Sequence, residues 1–210
     1  MILLPRRKAT AFLAAAALAV TVLAGRPALA LDVEVAKTFV AKAIDDTLST
    51  YAGKTLSGDQ RAAKLRDTIG RFADPALTGR DILGRYWAKA TPDEQRRFAT
   101  TLVDYVVATW NESLSDIDAN VRIEVTAAEP QGDRVLVHSV ATQPNELPNT
   151  VDWLVAADTA GRLVAADVSV GGVSLVNTMK ADFTSVLRAN SGEMEGLLAA
   201  MKKKIDAQPK

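Results

Sequence analysis

One histidine, a few aspartate pairs and a single glycine–serine corner hold whatever chemistry this sequence has. His138 is the only histidine and there is no cysteine, so the His and Cys sets that hold zinc cannot be assembled. As a general base His138 would need a carboxylate to orient its ring, and its place in an alternating stretch reads more simply as an ordinary strand residue. Asp45-Asp46 and Asp116-x-Asp118 are pairs that could bind calcium or share a proton, but neither has the loop pattern of a calcium site. Both read as solvated surface. Gly171-Gly172-Val173-Ser174 offers a nucleophile turn or a phosphate cradle, yet the G-x-S-x-G spacing, the Walker lysine and a third glycine are all missing. It reads as a sharp turn with Ser174 capping the helix that follows. Lys202-Lys203-Lys204 closes the last helix, where cations complement the macrodipole; a docking patch is the alternative. No catalytic residue, metal site or cofactor is assigned.

The elements that would position these residues fall into two periods. Up to about Leu114 the spacing is helical. Phe39, Val40, Ala43, Ile44, Leu48 and Tyr51 recur at three and four and stop before Gly53. A second helix follows the Ser57-Gly58-Asp59 cap, carries Leu65, Ile69 and Phe72 on one face, and stops at Asp74-Pro75. A third is predicted over Gly79 to Lys89. Thr91-Pro92-Asp93-Glu94 is a capping box that opens a fourth. That helix has an apolar stripe wide enough to bury two faces: Phe98, Leu102, Tyr105 and Val106, extended by Val103, Val107 and Trp110. The period then becomes two: 121–125, 135–141, 151–155 and 164–170 read as four strands of an antiparallel meander. Two further helices, with Val176, Met179 and Phe183 and then Met194, Leu197, Leu198 and Met201, finish the chain. This order predicts an α+β fold with helices covering one face of the sheet.

The first thirty residues stand apart. Arg6, Arg7 and Lys8 precede an apolar run from Phe12 to Leu23, and Ala28-Leu29-Ala30 is a small-x-small cleavage site, so 1–30 is expected to be a cleaved secretory signal and 31–210 one domain. The run is too short and alanine-rich for a membrane span. Residues 1–30 hold four of the 25 basic residues and none of the 25 acidic ones, which leaves the remainder at −4. A mildly acidic exported chain has no electrostatic reason to coat nucleic acid or an anionic bilayer. Without cysteine its stability must come from its core.

The stretch Asp167-Val-Ser-Val-Gly-Gly-Val-Ser174, with Phe183 and Gly196-Leu197-Leu198 downstream, resembles the C-terminal signature of the MlaC family, periplasmic lipid-binding proteins also called toluene-tolerance auxiliary proteins. A second similarity is Leu83-Gly84-Arg85-Tyr86-Trp87 followed by Glu94-Gln95 and Phe98. The order of signal, helices, strands and helices also fits, over essentially the whole of 31–210. Two positions depart from the family pattern: Gly171 stands where glutamate is common, and Leu163 where a tryptophan is usual.

The resemblance implies an α+β fold of the NTF2 or cystatin-like type, a four-stranded antiparallel sheet against a layer of helices, with an apolar cavity between them. It implies a monomeric, non-enzymatic periplasmic carrier. Such a carrier holds phospholipid acyl chains and passes lipid between an outer-membrane lipoprotein complex and an inner-membrane ABC transporter with its MCE-domain subunit. The apolar side chains expected to line the cavity are Phe72, Leu83, Trp87, Phe98, Leu102, Tyr105, Val106, Val151, Trp153, Val168, Val170, Val173, Met179 and Phe183. A hopanoid or another hydrophobic molecule is the alternative cargo. An enzyme acting on a small hydrophobic substrate is the alternative of another class. It would need Asp152 or Asp167 as an acid or base, and both alternate out of phase with Val151/Trp153 and Val168/Val170. A protein-only adaptor using Trp110 and the last helix would need no cavity.

Overall fold

The computed structural model describes residues 31–115 and 117–207; the expected signal segment and Asp116 lie outside them. Five helices come first: α1 (Val33–Tyr51), α2 (Gly58–Phe72), α3 (Pro75–Leu83), α4 (Arg85–Lys89) and α5 (Pro92–Trp110). The strands β1 (Arg122–Gln131), β2 (Arg134–Thr142), β3 (Asn149–Ala157), β4 (Leu163–Val170) and β5 (Val173–Ser174) follow, then α6 (Leu175–Ala189) and α7 (Met194–Asp206). The strands form one antiparallel sheet in sequence order.

Helix starts follow local chemistry. Thr91 and Glu94 close the capping box that opens α5, and Ser57 with Gln60 closes another on α2. Asp74-Pro75 ends α2 but also begins α3: the Asp74 carboxylate accepts from the backbone N–H of Ala76 and Leu77 at 2.9 and 3.2 Å. The helix expected over Gly79 to Lys89 therefore starts earlier and is broken at Gly84, whose φ of 51° is available to glycine and interrupts the turn between α3 and α4. Four expected strands become five. Gly171 and Gly172 have φ of 58° and 79°, the two successive positive values of a type I′ hairpin, so Val173 turns back to pair with Val170. Two residues are too few for alternation to reveal a strand.

Three apolar clusters hold the layers. On one face of the sheet, Ala36, Val40 and Ile44 of α1 pack on Val135, Val137 and Val155. The helices α3, α5, α6 and α7 share a second cluster around Phe98, Phe183, Leu187, Leu197 and Met201. Leu77 of α3 packs with Ala156, Val164 and Ala166 in a third. Val155 and Ala156 are adjacent on β3 and so point to opposite faces. Since both are buried, the sheet is covered on both faces at this end, where helices on one face alone were expected. No helix among the described residues is long and apolar enough to cross a membrane.

Candidate functional site

Beyond its two-residue pairing with β5, strand β4 is the open edge of the sheet; α2, α3 and α6 lie against it and α5 faces it across a gap. Between them runs a cleft of about 200 Å³. Thr68, Ile69 and Phe72 of α2 form one wall; Leu102, Val103 and Val106 of α5 a second; Ala165 to Val168 of β4 with Leu175, Val176 and Met179 of α6 a third; and Ala73 with Pro75 and Thr78 of α3 closes one end. The lining is almost wholly apolar.

Five expected lining residues meet here: Phe72, Leu102, Val106, Val168 and Met179. The others lie elsewhere. Leu83, Phe98, Tyr105 and Phe183 are buried in the cluster of α3, α5, α6 and α7, with Trp87 packed against it. Their rings contact edge to face, Trp87 to Phe98 at 6.2 Å, Phe98 to Phe183 at 6.0 Å and Tyr105 to Phe183 at 5.2 Å, and Tyr105 and Phe183 also border a separate surface pocket between α6 and α7. Trp153 packs into the cluster under α1. There its indole N–H donates to Ser139 Oγ at 3.1 Å, and Ser139 in turn donates to the Val151 carbonyl at 2.6 Å. Val151 is buried on the same side of β3. Val170 and Val173 flank the hairpin turn, 38% and 61% exposed. Ile69, Val103, Leu175 and Val176 line the cleft without having been singled out. Helical spacing from Phe72, Val106 and Met179 would have found them.

The groups with chemical potential are held by structural partners. His138 and Asp152 are cross-strand neighbours on β2 and β3, with Nδ1 to Oδ1 at 2.8 Å. They lie on the face opposite Val137 and Trp153, and neither lines the cleft, although Asp152 borders a neighbouring pocket that shares Asp167 with it. Asp46 bridges Lys42 and Arg71, and the Lys42 hydrogen bond foremost holds its carboxyl below the usual range. Asp118 turns back on the Asn120 backbone N–H at 2.6 Å. In the closing lysine run, Lys204 lies 5.4 Å over the Tyr105 ring, and the Tyr105 hydroxyl beside it raises its pKa. No three His, Asp or Glu side chains cluster to hold a metal among the described residues.

Asp167 is the one acid on the cleft wall, and it is occupied. Its carboxylate accepts from the Ser174 hydroxyl and, at 3.0 Å, from the Val176 N–H, while Ser174 Oγ accepts from the Asn177 N–H at 3.0 Å. Strand β4 thus caps helix α6 across the hairpin, satisfying N–H groups a helix start leaves unpaired. Asp167→Asn keeps the shape but loses the charge, and is expected to cost about 1–3 kcal/mol in urea denaturation. Ser174→Ala should add little on top, because both changes break one network. A variant as stable as the parent would contradict the capping role.

Known proteins place this architecture. No curated protein matches the chain. The phospholipid-binding protein from Ralstonia solanacearum, solved in complex with a phospholipid, is similar with a TM-score of 0.68 and 23% identity, over 81% of this chain and 97% of that one. At that identity the likeness speaks to the fold. The model of the MlaC protein family matches residues 41–203, a span from α1 into α7 that takes in every wall of the cleft, and the chain belongs to the MlaC family.

Proposed function

We propose that this protein is a periplasmic phospholipid carrier, exported with residues 1–30 removed, that takes acyl chains into the cleft between α2, α5, α6 and β4. The observation that carries this reading is the cleft's lining: apolar side chains from five elements, with its single carboxylate engaged in capping α6. The phospholipid held by the Ralstonia protein of the same fold supports it. The partners in this reading are an outer-membrane lipoprotein complex and an inner-membrane ABC transporter with an MCE-domain subunit.

The energetics suit a carrier. Each buried methylene is worth about 0.8 kcal/mol, so two chains of roughly sixteen carbons represent about 25 kcal/mol against bare water. A carrier has to match the bilayer's apolar interior without exceeding it, since loading and release must both occur. Apolar walls without a strong polar anchor do that. The enzyme alternative has little support, because Asp152 is paired with His138 and does not line the cleft, and Asp167 is a cap.

Organic extraction of the purified protein followed by mass spectrometry tests the reading, with glycerophospholipid expected in the extract. A preparation that carries no lipid and takes none up from vesicles would refute it. Hopanoid in place of phospholipid would select the alternative cargo.

A further inference from the structure

The cleft's volume of about 200 Å³ falls short of the roughly 300–1,000 Å³ of drug-sized ligand sites, so a wall must move before acyl chains can enter. Most of the walls are fixed. α5 and α6 share the large core cluster with α7, α3 contributes Ile82 and Leu83 to the same cluster, and β4 is hydrogen-bonded along β3. Helix α2 differs from all of these. Phe72, at its last position, is its only buried residue, and none of its residues joins the three core clusters.

Polar ties hold α2 instead, and they divide by end. At the C-terminal end Phe72 meets the Phe39 ring edge-on at 5.8 Å. Arg71 there bonds Asp46 of α1 at 2.6 Å, and Arg162 donates to the Gly70 carbonyl at 3.2 Å. Further along, Arg66 donates to Asp104 of α5 at 3.1 Å across the two helices that face each other over the cleft. Both partners of that pair are about half exposed, the kind of bond that water readily replaces. Towards the N-terminus, Arg61 reaches the Asn111 carbonyl at 3.1 Å and Asn111 the Gly58 carbonyl at 3.1 Å.

Resting on the carrier reading above, we propose that α2 is a lid, hinged at Phe72–Ala73 and latched to α5 by the Arg66–Asp104 ion pair, whose outward swing opens the cleft to acyl chains. Opening leaves the core clusters intact, because α2 joins none of them. It exchanges the Arg66–Asp104 pair and the Arg61 and Asn111 hydrogen bonds for hydration, while acyl chains cover the apolar wall it uncovers. The carrier can therefore open without disturbing its core.

The absence of cysteine makes the test direct. In the Arg66→Cys/Asp104→Cys variant a short bismaleimide can join only the lid and α5, and the same variant capped with N-ethylmaleimide is the unbridged control. The readout is transfer of a pyrene-labelled phosphatidylcholine between vesicles of phosphatidylethanolamine and phosphatidylglycerol. Transfer by the bridged protein is expected to fall to the protein-free background, while the capped control transfers at least as fast as the parent. Arg66→Gln, which only releases the latch, should transfer roughly two- to five-fold faster. Bridged protein that transfers at the rate of its capped control overturns the lid and leaves the carrier intact. If the parent protein itself neither binds nor transfers the labelled lipid, the carrier reading falls and the lid with it.

Discussion

Val106→Glu is expected to leave a folded protein that retains less than about a tenth of the parent's phospholipid, because a carboxylate against hydrocarbon carries a penalty of several kcal/mol. Val106 is half-buried on α5 and its side chain faces the cleft. In the lipid-free protein the new carboxylate can reach water at the cleft mouth, so stability should change little. With acyl chains in place that escape is blocked, and protonating the glutamate or expelling the lipid are the only outcomes. Mass spectrometry of extracts, alongside a thermal melt, separates lost binding from lost fold. Val106→Leu, which keeps the wall apolar, should retain lipid. Full lipid content in a folded Val106→Glu protein would move the acyl chains out of this cleft.

Phe98→Ala should produce the largest loss of stability of any single truncation considered, roughly 3–5 kcal/mol. Phe98 is fully buried and touches Trp87 and Phe183 edge to face. Gly79 sits against it so closely that a Cβ there would come within 3.1 Å of the ring, leaving no slack for collapse around a cavity. For a domain of this size the melting temperature should drop by about 10 °C. Urea unfolding at unchanged slope measures the cost, and a loss under about 1 kcal/mol would show that the helical cluster repacks. Residual lipid in this variant reports on folding, because Phe98 lies in the core and not on the cleft wall.

Those two residues also show how far sequence reasoning reached. Both lie on the apolar stripe of α5, whose width predicted two buried faces, and the helix does face a core and a cleft. The stripe did not say which side was which. Phe98 and Phe183 looked like cavity wall because large aromatics suit either role, and only the edge-to-face contacts among Trp87, Phe98, Tyr105 and Phe183 assign them to the core. On the sheet, alternation correctly grouped Val151 with Trp153 and Val168 with Val170. It could not tell which helix covers them, and α1 takes Trp153. Signals that depend on a few neighbouring residues were the most legible: the cap at Ser57, the capping box at Thr91, the break before Gly53, and Ser174 as a cap. Asp167 was readable as a motif residue but not as a cap, since its partners are seven and nine positions away and meet it only once the hairpin has turned.

The central cluster of α3, α5 and α6 is completed by α7, whose Leu197 and Met201 are 0% and 2% exposed. Residues near 80–105 thus wait for partners near 197–201, on the far side of the whole meander. Such long-range closure slows folding. While the chain is being made, α1 can already settle on the strands, but the faces of α5 and α6 that Leu197 and Met201 cover stay open until the last helix arrives. The core around Phe98 is therefore sealed last, by residues of the final helix.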